Sequence, residues 1–310
     1  SGDQWHESFP FWAKSGRSQT EKMVITSYGS GERPLVLTGA AGGLEGISPI
    51  GVHRGHLALT DVQFVADGYA GGVGGPTAIS LLNGWRDVLI ENVKIERYVT
   101  GIVLGQVDAD QRPSNIQIRR SVVVDSYSTG VNHPQGIIAG ETDGLLIEEC
   151  VIDHNGWLES VPGAVPTMFR HNLYLGQSCT SVVTRGNIVA RAGSTGISQR
   201  GGGVSEDNLC LQNPLNLEFG HGQMAATGQT AGGLIRNNVV LDSRNIDAAN
   251  PRGSGIGACY AKDLEISGNI VAQQRSGTGN VSGFEISGTY ENLTIRNNVV
   301  VNWTEPGFLY

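Results

Sequence analysis

Three side chains in the middle of the sequence could move a proton on an anionic substrate: His171, Tyr174 and Arg200. An imidazole titrates near working pH, a phenol can give or take a proton, and a guanidinium holds a carboxylate in a bidentate grip. Together they suit β-elimination next to a carboxylate. Arg200 would neutralise the carboxylate, His171 would take the adjacent carbon-bound proton, and Tyr174 would protonate the departing oxygen or act as the base itself. Around them the segments FRHNLYLG (169–176), GISQRGGG (196–203) and LNLEFGHG (215–222) add Arg170, Gln199, Asn216, Glu218 and His221, with His133 on the preceding stretch. These six are expected to bind the substrate. No Asp or Glu occurs between Glu159 and Glu206, although the protein carries a net charge of -8. That interval holds Arg170, Arg185, Arg191 and Arg200, and the whole chain has 17 Arg against 4 Lys. A positive stretch in a negative protein predicts an anionic ligand.

The elements that must position these residues follow from a repeat. An apolar strand, a small polar turn and a second apolar run recur as LALTDVQF, VLIENVKI, IQIRRSVVV, LLIEECVI, VVTRGNIVA, VSEDNLCL, GLIRNNVV, LEISGNIV and LTIRNNVVV. One register position is held by Val62, Val93, Ser121, Cys150, Asn187, Asn208, Asn238, Asn269 and Asn298, at spacings of 21 to 37 residues. A further short strand follows most anchors, as in GIVLG (101–105), GIIAG (136–140), NLYLG (172–176) and GFEIS (283–287). Period-two strands between turns, with no amphipathic helix, predict an all-β solenoid of about nine or ten coils. It forms a single domain over 1–310, with N-terminal coils in 1–55 and regular coils in 56–310. Stacked coils lie about 4.8 Å apart. The five anchor asparagines should therefore form an amide ladder. Two residues earlier, Glu91, Arg119, Glu148, Arg185, Glu206 and Arg236 alternate in sign and should form a charge ladder. That removes Glu148, Arg185 and Glu206 from the chemistry. In NLYL, Leu173 and Leu175 should point inward and Tyr174 outward. Ser198 and Asn216 should share the outward position, with Arg200 and Glu218 two residues further along.

The coils, the Asn turn and the entry segment WAKSGRSQTEKMVITSYGSGERPLVLTG (12–39) resemble bacterial pectate-lyase-like right-handed parallel β-helix proteins. The resemblance spans nearly the whole chain. It implies a carbohydrate-active protein outside the cytoplasm, extracellular or periplasmic, with a polysaccharide as partner. The superfamily includes polysaccharide lyases, inverting glycoside hydrolases, uronan epimerases and phage tailspikes. Joined to the His, Tyr and Arg cluster, it favours a lyase acting on an acidic glycan. A hydrolase using Glu141, Asp143 and Glu218, or a non-catalytic glycan-binding or tailspike-like solenoid, are the alternatives. The acidic balance argues against nucleic acid, and no apolar run reaches a membrane span. No cofactor is expected. The loops DAD (108–110) and ETD (141–143) are the only carboxylate groups that could take Ca2+. The four cysteines lack zinc spacing and read as buried thiols. The chain begins at SGDQWHESF without a capping helix and ends at GFLY inside a coil, so self-association through open coil ends is expected.

Overall fold

The computed structural model describes residues 2–105, 111–244, 252–273 and 282–309. Ca2+ at 108–110 lies outside the described residues. Every named strand pairing is parallel, and each coil stacks on the next. The first face is a sheet of eleven short strands, including Val122–Val124, Val151–Asp153, Ile188–Ala190 and Leu209–Leu211. That exceeds by one the nine or ten coils expected from the repeat. The second face carries Thr100–Gly105, Gln135–Ala139, His171–Leu175, Thr195–Gln199 and Leu215–Phe219. The third carries Ser114–Arg119, Asp143–Glu148, Thr180–Arg185, Gly202–Glu206 and Ala231–Arg236. In the last coils the second and third faces run together as Ile256–Ser267 and Ser282–Arg296, with a register shift between Cys259 and Ala261.

Side-chain alternation sets this register. Ile137, Leu173, Ile197 and Leu217 lie opposite one another on successive coils and are fully buried. Slipping a strand by one residue would turn these side chains out to water. The corners are equally regular. Arg120, Glu149, Asp207 and Asn237 precede the first-face strands with φ of 46° to 55°. Gly186 and Gly268 take the same place with φ of 63° and 66°. A left-handed residue bends the chain there without a longer loop, and glycine does so without strain.

The anchor asparagines form the expected ladder. Each amide donates to the next, Asn187 to Asn208, Asn208 to Asn238, Asn238 to Asn269 and Asn269 to Asn298, at 2.9 to 3.0 Å. The acceptor oxygens also take the backbone N–H of the preceding anchor. Buried turn groups are thereby satisfied. The charge ladder is in register too, Glu91 against Arg119, then Glu148, Arg185, Glu206 and Arg236. Glu148 accepts from Arg119 at 2.8 Å and from Arg185 at 2.5 Å.

Three features lay beyond the repeat. A second amide ladder fills the interior where the first face turns into the second. Asn155 donates to Asn172 at 2.8 Å, Asn213 to Asn216 at 2.7 Å, and Asn216 to Ser243 at 2.5 Å. A four-residue helix, Met224–Thr227, interrupts the otherwise all-β chain, with Met224 fully buried. The 154–170 segment is a long excursion pinned by His154, which lies 2.6 Å from Asp125 and 2.9 Å from Glu159. Cys150, Cys179 and Cys210 are free and buried, and Cys259 is half-buried and free.

Candidate functional site

The outward position of the second face runs Tyr174, Ser198, Glu218, Gly257, Glu285 on five successive coils. On the two coils before Tyr174 the same position is plain, Val103 and Ile138. The excursions at the corner before these strands rise beside this column. The 154–170 segment brings Met168 and Phe169, the turn before Met224–Thr227 brings His221 and Gln223, and the approach to Ile256–Ser267 brings Arg252. The result is a cleft in two joined parts of about 350 and 440 Å³, with Met168, His221 and Arg252 common to both. His171, Tyr174 and Arg200 line the first part, and Glu218 and Glu285 the second.

Arg200 and Tyr174 form a close polar contact in the first part of the cleft. Arg200 Nη1 donates to the Tyr174 Oη at 2.7 Å, and its guanidinium carbon lies 4.3 Å from the ring centre. The His171 ring lies 5.4 Å from that of Tyr174. His171 is buried, and its Nδ1 accepts the Thr195 N–H at 3.2 Å. An imidazole accepting at Nδ1 carries its proton on Nε2 when neutral. Burial, with Arg252 and Arg200 nearby, holds the His171 pKa well below the usual range, which keeps the ring neutral. His221 is arranged alike. Its Nδ1 accepts the Gln223 N–H at 3.2 Å, and burial followed by Arg200 and Arg252 lowers its pKa to about 4. Glu218 moves the other way. Burial raises its pKa and Glu285 adds to the rise, against Arg252, Arg200 and a hydrogen bond from Ser198. His133 stacks on Phe169 at the rim, with ring centres 4.7 Å apart and planes 11° from parallel.

The structure thus gathers His133, His171, Tyr174, Arg200, Glu218 and His221 around one cleft. It corrects the register expected for Glu218 and Asn216. Glu218, not Asn216, lies opposite Ser198, because Leu215, Leu217 and Phe219 align with Thr195, Ile197 and Gln199. Asn216 therefore points inward and joins the second amide ladder. Gln199 also points inward, bonded to Thr184 Oγ1 and the Gly202 carbonyl. Arg170 is spent on the Gly156, Val165 and Gly130 carbonyls, where it braces the excursion rather than entering the cleft. The acid-free interval is likewise not acid-free in space. Coil stacking sets Arg185 on Glu148, and Arg191 on Asp153 at 2.8 Å. Asp143 pairs with Arg112 at 2.8 Å, and neither it nor Glu141 lines the cleft.

Two cleft residues were missed in the sequence. Glu285 sits in GFEIS, at the outward position of a recognised repeat strand, so alignment of the strands would have found it. Arg252 sits in an excursion, where the repeat gives no signal. Among the described residues no group of three His, Cys, Asp or Glu side chains is placed to hold a metal ion.

No family model matches the chain, and no curated protein matches it. Solved structures do. A variant of the periplasmic alginate epimerase AlgG superposes with a TM-score of 0.60 at 12% identity, covering 93% of this chain and 64% of its own. The fold is a right-handed parallel β-helix. The A-module of the Azotobacter vinelandii mannuronan C-5 epimerase AlgE4 matches this β-helix with a TM-score of 0.52 at 14% identity, over 93% of this chain and 81% of its own. A tailspike variant of E. coli bacteriophage HK620, in complex with a pentasaccharide, gives 0.60 at 12% identity, over 93% and 58%. The β-helix therefore spans less than two thirds of the length of AlgG and of the tailspike.

Proposed function

We propose that this β-helix is a carbohydrate-active protein that removes the C5 proton of a uronate in an acidic glycan and expels O4, as a polysaccharide lyase. The observation that carries the reading is the Arg200–Tyr174 pair in a cleft that also holds Arg252. Charge on the Tyr174 oxygen is met directly by a guanidinium, inside a partly desolvated site where such stabilisation is strongest. In its deprotonated form Tyr174 takes the C5 proton and passes it to O4. The C5–H and C4–O4 bonds break, a C4=C5 double bond forms, and the leaving sugar carries the proton away. Arg252 faces the substrate carboxylate. His171 and His221, each with its proton on Nε2, serve as neutral donors rather than bases, which changes the role first expected for His171.

The structurally similar proteins support a glycan ligand: one is described as an alginate epimerase, one as a mannuronan C-5 epimerase, and a third is in complex with a pentasaccharide. The description of one as periplasmic supports a place outside the cytoplasm. The test is to incubate the protein with alginate, pectate and glycosaminoglycans and to follow ultraviolet absorbance of the unsaturated product. A rise that disappears in Tyr174→Phe is expected. No rise on any acidic glycan counts against the lyase. Epimerisation would show instead as exchange at C5 without an unsaturated product.

One observation favours a second reading. Glu218 and Glu285 stand two coils apart across Gly257, roughly 9.6 Å between backbones at about 4.8 Å per coil. Inverting glycoside hydrolases separate their acid and base by about 6.5–9.5 Å, and burial raises the pKa of Glu218 as a general acid requires. Glycan cleavage without unsaturated product, lost in Glu218→Gln, would establish it.

A further inference from the structure

The two parts of the cleft differ in charge. Arg252 and the neutral ring of His221 belong to both; the first adds Arg200 and the neutral ring of His171, while the second adds Glu218 and Glu285 on either side of Gly257. Gly257 is not demanded by the fold. It has no left-handed backbone, and a Cβ built on it would meet only Glu218 and Leu215 atoms at 3.7 Å and beyond, which is ordinary contact. Other glycines in or beside these strands are demanded. At Gly196, Gly220 and Gly255 a Cβ would strike neighbouring backbone at 2.6 Å or closer. A side chain at Gly257 would therefore fit without a clash, and its absence keeps clear the coil between Glu218 and Glu285. Ser254 Oγ donates to Glu285 at 2.6 Å and fixes that carboxylate, and Ser198 Oγ reaches Glu218 at 3.3 Å.

We propose that Glu218, Gly257 and Glu285 form a subsite for an uncharged, hydroxyl-bearing sugar that lies beside the uronate in the same glycan. The substrate is then a mixed polymer of uronate and neutral sugar, not a uronate homopolymer. The inference rests on the reading of the Tyr174 end as the uronate site. Two carboxyls at this spacing bracket a ring and accept from its hydroxyls. The Glu285 carboxylate, fixed by Ser254, disfavours a second uronate beside it, since like charges in a desolvated groove are costly. Burial favours the neutral form of Glu218, which lets that carboxyl donate as well as accept.

The experiment compares binding and turnover of oligosaccharides matched in length. Polymannuronate and polygalacturonate form one class, and hyaluronan and unsulfated chondroitin, which alternate uronate with an uncharged sugar, form the other. The expected result is a preference of about tenfold or more for the alternating class. In Glu285→Gln the preference should shrink severalfold through better homopolymer binding, and in Gly257→Val binding of alternating glycans should fall about tenfold. Equal or tighter binding of homopolymers, with a ratio that Glu285→Gln does not move, overturns the subsite and leaves the uronate reading standing. Loss of all turnover in Glu285→Gln overturns it in favour of a catalytic carboxylate pair. Binding of neither class overturns both the subsite and the uronate reading.

Discussion

Two columns of outward residues run along this β-helix, and they use charge in opposite ways. On the third face every charge from Glu91 to Arg236 meets an opposite charge on the next coil, and Glu148 is shared between Arg119 and Arg185. On the second face, Tyr174, Ser198, Glu218, Gly257 and Glu285 follow no alternation, and the cations beside them arrive from outside the column. A ladder that satisfies itself needs no ligand. The cleft gathers His171, His221 and Glu218, whose acidity burial perturbs, without the coil-to-coil alternation of charge seen in the ladder, which is the pattern of a site arranged for something else. Position in the repeat alone does not separate structure from chemistry; whether neighbours cancel does.

The largest expected effect falls on the cleft. Tyr174→Phe should lower turnover by about 10²–10⁴-fold, and Arg200→Ala by about 10²–10³-fold, with thermal midpoints little changed. Steady-state kinetics and a melting curve on the same samples check this. Equal losses in both measures would erase the distinction between the two columns.

The amide ladder should show the reverse split. Asn208 is buried, accepts the Asn187 N–H and donates to the Thr184 carbonyl. Asn208→Ala orphans these two backbone groups at about 1–3 kcal/mol each. Denaturant unfolding should register the loss, while turnover well below the midpoint stays near wild type.

Acid should act on the cleft before it acts on the charge ladder. The His171 pKa in the folded protein is lowered from an ordinary value of 6.5. That of His221 is lowered to about 4. The unfolded chain therefore binds protons first as pH falls below about 6.5, and stability falls with it. Glu218 has the opposite sign: its raised pKa adds stability at low pH that is lost as pH climbs through the folded value. His171→Phe should flatten the acid-side slope in unfolding experiments run at several pH values. An unchanged slope would mean that the ring is not held neutral.

The smallest effect belongs to the charge ladder. Arg185 is half-exposed, and Glu148 keeps Arg119 if it is removed. Arg185→Ala should cost less than about 1 kcal/mol and leave turnover untouched. A large catalytic loss would bring the third face into the site.

Strand repeats made most of the fold legible. The anchor asparagines and the alternating charges were readable because stacking places one repeat position above another, whatever the loops do. The cleft was legible only where it lay on a strand. Tyr174 and Ser198 were paired correctly from alternation, but LNLEF was placed two residues out, because a variable corner hides its register. The arginines of the acid-free interval misled for a related reason. Sequence proximity ignores the coil above and below, where Glu148 and Asp153 were waiting. The brace made by Arg170 belongs to the 154–170 excursion, and Arg252 lies off the repeat strands, so no period announces either.

The central claim is that the Tyr174–Arg200 end of the cleft removes a C5 proton. It is tested most directly by nuclear magnetic resonance of uronate glycans incubated with the protein in deuterated water. Loss of the C5 proton signal, through unsaturation or exchange, in the wild type and not in Tyr174→Phe is the predicted result. Cleavage that leaves every C5 proton in place and inverts the anomeric centre would contradict it and move the chemistry to Glu218 and Glu285.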